Sequence, residues 1–151
     1  ALRYLADVLL GVPSIVFGIV AWQLVVRPVG HFSAWAGGAA LAAIMIPLVA
    51  RTTDDVLALV PSSLAQAALA LGYPRWRTAL GVVLRAALPG VVTGALVAIA
   101  RVAGEAAPLL FTAFGNQFWN LDPSRPTAAL PLRIYAGALG ASDAGRREAY
   151  A

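Results

Sequence analysis

From Leu88 to Thr112 the chain is apolar except for Arg101 and Glu105, which stand one helical turn apart. A stretch of that length and polarity reads as a helix crossing a bilayer, which takes ~20 apolar residues. The two charges constrain its surroundings. An arginine at the centre of a membrane helix costs ~2.5–3.5 kcal/mol on insertion scales, so the default position is a protein interior or a polar pathway rather than lipid. At a spacing of i,i+4 the two side chains share one helix face and can neutralise each other.

The rest of the chain points the same way. Hydrophobic residues make up 60% of the 151 and charged ones 12%, well under the ~25% charged content of a soluble domain. An all-α membrane domain follows. The chain has no cysteine, which excludes disulfide and thiolate chemistry and leaves the redox compartment open. Its basic residues are arginines throughout, spread over loops and helix ends without a run that would suit nucleic acid. The first residue is not Met and no signal peptide is visible, so the sequence reads as an excerpt.

Three apolar runs have spanning length: residues 8–26, 34–50 and 88–112. In the first, Gly11-Val12-Pro13-Ser14 predicts a kink or local unwinding, tolerable only where protein or water covers the backbone. Residues Arg27 to His31 form a tight turn. The second run carries Ala36, Gly37, Gly38, Ala39 and Ala40, small side chains that permit close helix approach, and is expected to end at Pro47 and Arg51.

Residues 51–84 form the longest stretch between spans. Thr52 with Asp55 and Ser63 with Gln66 fit capping boxes opening two short helices, stopped by Pro61 and by Gly72, where a left-handed cap belongs. A third short helix is expected over 75–84. The product is a helix–glycine–helix elbow outside the membrane, suited to being gripped by a partner; the alternative is an amphipathic helix resting on the bilayer surface. Residues 113–133 are polar and turn-rich and read as a loop on the opposite side, with Phe118 and Trp119 suited to the membrane interface. Leu130 to Leu139 is too short to span. Arginine counts on the two sides tie at five each, so charge does not orient the spans.

Motifs supply what charge does not. Gln66-Ala67-Ala68, three residues, Gly72, then nine residues to Val82 and Leu84 resembles the EAA loop of ABC-importer permeases (MetI-like), the cytoplasmic segment that docks on the ATPase. Gln66 stands where that family usually has Glu, and Arg85 where it usually has Pro. Within the superfamily the chain is similar to the phosphate permeases. The likeness runs through residues 11–18, 47–53, 101–110, Gly115-Asn116-Gln117-Phe118-Trp119, and Leu130-Pro131 to Ile134-Tyr135. It implies a multi-pass protein of about six spans in a bacterial inner membrane, of which this chain lacks the first spans and the last.

The resemblance further implies that Arg101, Glu105 and Arg51 serve phosphate translocation, and that Gln66, Ala67, Ala68 and Gly72 couple to the ATPase. The implied partners are an ABC ATPase subunit, a second permease of different sequence, an extracellular or periplasmic phosphate-binding protein, inorganic phosphate and the lipid bilayer. No cofactor or metal is implied, and the lone His31 cannot build a metal site. Two roles stay open for Arg101: its planar fork of donors matches phosphate oxygens, but an ion pair with Glu105 would equally fix packing. Arg51 at a span's edge also fits a snorkelling anchor. The chain performs no covalent chemistry by this reading, since the phosphate-binding loop of an ATPase needs a lysine and there is none. Permeases for sulfate, molybdate or phosphonate, and a purely structural membrane subunit, are the alternatives.

Overall fold

The computed structural model describes residues 2–116, 118, 120–140 and 147. Gln117, Trp119 and the polar tail from Ser142 onward, Arg147 apart, lie outside the described residues. Helix α1 (Leu2–Leu10) meets α2 (Ser14–Val29) at an angle of 95°. The corner falls where the sequence predicts it. Gly11 and Val12 donate back to the carbonyls of Asp7, Val8 and Leu9, closing α1, while Pro13 (ψ 136°) turns the chain into α2. The run 8–26 is thus bent at this corner rather than one rod. One wide turn at Trp22–Val26 lets α2 continue through Pro28 to Val29, and Gly30 (φ 82°) then reverses the chain.

Helix α3 (Ala34–Ala58) is longer than the sequence suggests. Pro47 lies inside it and Arg51 does not end it. The Thr52–Asp55 capping box does not form, because Thr52 Oγ1 donates back to the carbonyls of Leu48 and Val49 and so stays within the helix. At 25 residues α3 is about 37 Å long, enough to cross a hydrocarbon core of ~30 Å. Its start is firmly capped. Ser33 Oγ accepts from the Ala36 N–H, and the carbonyls of Arg125 and Pro123 accept from Ala34 and Trp35, so the polar loop sits directly on the helix end.

Helix α4 (Ser62–Ala70) starts after Pro61 without a side-chain cap, so the Ser63–Gln66 box is absent too. It ends as expected. Gly72 (φ 83°) donates to Leu69 O and Tyr73 donates to Ala68 O, the two crossed bonds of a Schellman motif. After Pro74, α5 (Arg75–Ala103) runs unbroken through a wide turn at Ala79–Val83 and through Pro89. A separate helix over 75–84 and a span beginning at residue 88 are therefore one element. Glycines let α3 and α5 close on each other: a Cβ on Gly90 would meet Val56 at 2.6 Å, and one on Gly94 would meet Thr52 at 3.1 Å.

The chain unwinds at Gly104–Ala106, ahead of α6 (Ala107–Leu110). This segment packs where side chains are smallest. A Cβ on Gly18 would stand 2.7 Å from the Pro108 Cα, and one on Gly37 would stand 3.1 Å from a Leu109 methyl. Leu109, Ala113 and Leu132, the last from α7 (Leu130–Leu139), form the buried apolar centre at this end. Phe32 stacks on Phe114 with ring centroids 4.8 Å apart, and Asn116 reaches the Pro126 carbonyl, so the loop is packed rather than loose.

Candidate functional site

Two interruptions of the backbone meet. The α1/α2 corner and the unwound Gly104–Ala106 segment border a cavity of about 300 Å³, lined by Leu9 to Ser14, Phe17, Ile44, Leu48, Arg101 and Glu105. Arg101 stands in the last turn of α5, where a cation is favoured by the helix dipole. Ser14, the first residue of α2, contributes a hydroxyl and the end of a helix whose first N–H groups have no side-chain cap.

The pairing of Arg101 with Glu105 differs from the helical expectation. Because α5 stops at Ala103, Glu105 leaves the face that an i,i+4 partner would occupy, although its N–H still reaches the Val102 carbonyl at 3.1 Å. Among the described residues neither side chain takes part in an ion pair. Both instead line one space, and Arg101 is exposed there. A guanidinium with uncommitted donors beside a polar space can hold an oxyanion.

Arg51 is placed elsewhere. It lines a smaller cleft with Arg3, Ala6, Ala50 and Asp54. Its guanidinium donates to both carboxylate oxygens of Asp7, at 2.9 and 3.0 Å, and to Asp55 at 3.2 Å. Arg3 donates to Asp54 alongside, so α1 is bound to α3 by charge at two points. Sequence reasoning passes over Asp7 as a partner, since nothing local links it to an arginine 44 residues away.

At the elbow, Gln66, Ala67 and Gly72 are exposed and Ala68 is buried against the start of α5. Exposed Leu71, Trp76 and Leu80 surround it, and Arg77 lies over the Tyr73 ring at 5.1 Å. The elbow and the 113–129 loop sit at opposite ends of α3. No group of metal-ligating side chains occurs among the described residues.

The comparisons agree with this architecture. Residues 1–141 match the family described as "Binding-protein-dependent transport system inner membrane component". The chain is 51% identical over 137 residues to a phosphate transport system permease protein PstA of Yersinia pestis, covering 91% of this chain and 46% of that protein. It is 50% identical to the Haemophilus influenzae protein of the same name (88% and 47% covered) and 41% identical to PstA 1 of Mycobacterium tuberculosis (94% and 47%). The chain thus spans about half the length of the curated relatives it matches. No solved structure matches it. With a match across nearly its whole length, two helices long and apolar enough to cross a membrane and a third bent pair, the chain belongs to the family of inner-membrane components of binding-protein-dependent transport systems.

Proposed function

We propose that this chain is the part of an ATP-driven phosphate importer's permease that carries the anion and receives the ATPase stroke. The observation that carries the reading is the meeting of Arg101 with two helix interruptions at one polar cavity. Interrupted helices expose backbone groups that need water or an ion, and an exposed arginine beside them offers a way-station for an anion inside a bilayer. Arg101 binds the oxyanion and Glu105 shares its cavity. The relatives' printed names supply phosphate as the anion.

The partners follow from the same reading. A binding protein delivers phosphate on the side of the 113–133 loop, a second permease of different sequence closes the path, and a separate ATPase grips the elbow at Gln66, Ala67, Ala68 and Gly72. Arg51 acts at one remove. Its donors are engaged by Asp7 and Asp55, so its contribution to translocation is to tie α1 to α3 beside the elbow and thereby set the corner that lines the cavity.

The test is uptake of radiolabelled phosphate by the full-length parent chain, coexpressed with its partners, comparing wild type with Arg101→Gln at matched membrane abundance. Loss of uptake with the complex still assembled is the expected outcome. Undiminished uptake would reduce the arginine to packing and remove the cavity from the transport path.

A further inference from the structure

We infer that Glu105 makes the cavity selective for oxyanions that still carry a hydrogen, an inference that rests on the phosphate reading above. Arg101 by itself cannot select: a guanidinium pairs with any tetrahedral oxyanion through the same fork of donors. The second charged group in the cavity is what differs in its demands. Glu105 stands off the helical face of Arg101, forms no ion pair with it, and shares its cavity with apolar neighbours such as Val12, Phe17, Ile44 and Leu48.

An ionised carboxylate only accepts hydrogen bonds. Inorganic phosphate at neutral pH retains a P–O–H hydrogen and can donate it to Glu105 while its bare oxygens face Arg101. Sulfate and molybdate have no hydrogen left, so against Glu105 they set lone pair against lone pair and charge against like charge. With a share of ~30 Å³ per water, a cavity of about 300 Å³ holds a tetrahedral anion between the two side chains with a few waters. Arg101 thus admits the class of anion and Glu105 counts its hydrogens. Phosphonates and arsenate, which keep a hydrogen, pass this filter.

The experiment uses the full-length parent chain with its partner subunits in lipid nanodiscs, without the binding protein, whose own preference would mask the site. Retained radiolabelled orthophosphate is displaced with arsenate or with sulfate at neutral pH. In the wild type sulfate should displace about tenfold to a hundredfold more weakly than arsenate, the range expected for a hydrogen bond to a charged group. Glu105→Gln, whose amide is uncharged and can donate as well as accept, should close that gap to a few-fold by weakening phosphate and arsenate and admitting sulfate, and Glu105→Asp should preserve it. Sulfate displacing as well as arsenate from the wild type overturns the inference without recourse to any variant. So does a Glu105→Gln complex that retains phosphate and still rejects sulfate. Phosphate retention that survives Arg101→Gln is a different failure: it removes the phosphate site itself, and the filter with it.

Discussion

At the scale of single residues, glycines decide which surfaces can touch. Gly18 faces the Pro108 backbone, and a methyl there would have to sit 2.7 Å from a Cα that cannot swing away. Gly18→Ala should destabilise the full-length complex by about 1–3 kcal/mol, the usual cost of overpacking, seen as a lowered melting point in mild detergent. Gly38→Ala is the matched control. Nothing lies within 4 Å of a Cβ at Gly38, so the same change there should be neutral or slightly stabilising. Equal loss at both positions would mean that close approach to Pro108 is not what Gly18 provides. The sequence does announce the small residues of α3, of which Ala36, Gly37 and Ala40 are buried. It cannot tell which of several glycines meets a backbone, because that depends on a partner segment some 90 residues away.

At the scale of elements, the ion pairs between α1 and the far end of α3 fix geometry more than stability. An exposed pair such as Arg51 with Asp7 contributes ~0–1 kcal/mol. Its value lies in holding α1, and hence the corner at Pro13, in one place. Spin labels on cysteines replacing Ala6 and Ala50, which line the cleft beside the Arg3–Asp54 pair, should report a close, narrow distance that broadens with Asp54→Asn. A distance indifferent to that change would detach α1 from this charge pair.

The same scale shows where sequence punctuation misleads. Gly72 and Pro13 act as read, since a left-handed cap and a missing donor are local demands that no neighbour can waive. Pro47 and Thr52 read as boundaries and a span reads as beginning at residue 88, yet the helices run through all three places. In a bilayer an interrupted helix leaves backbone groups without water, so continuing past a proline is the cheaper course, and a threonine hydroxyl turns back onto its own helix. Conversely, Arg101-Val102-Ala103-Gly104-Glu105 reads as continuous helix but ends at Ala103. Tertiary packing of Pro108 and Leu109 against Gly18 and Gly37 redirects the chain there, and the spacing of the charges carries no trace of it.

For the whole molecule, arginine counts leave orientation open whereas the fold gives a relative one. The carbonyls of Pro123 and Arg125 cap one end of α3, and its other end leads through Pro61 into the elbow about 37 Å away. These 151 residues contain no cysteine, so once any cysteines elsewhere in the parent are replaced, single introduced ones report cleanly. In intact cells carrying the full-length parent, a cysteine at Ser124 should react with an impermeant maleimide, and one at Ser63 only after the membrane is opened. Labelling of both from the same face would contradict the crossing of α3.

Helix α5 is continuous from Arg75 to Ala103, through the wide turn at Ala79–Val83 and Pro89, and it is bracketed by Gly72 at one end and Gly104 at the other. That makes it a lever arm, with Arg101 about 40 Å from the fulcrum. A tilt of about ten degrees imposed at the elbow would sweep the guanidinium through about 7 Å, roughly two hydrogen-bond lengths. A small rotation at the rim of the molecule is therefore magnified, by leverage alone, into a displacement of several ångströms at Arg101.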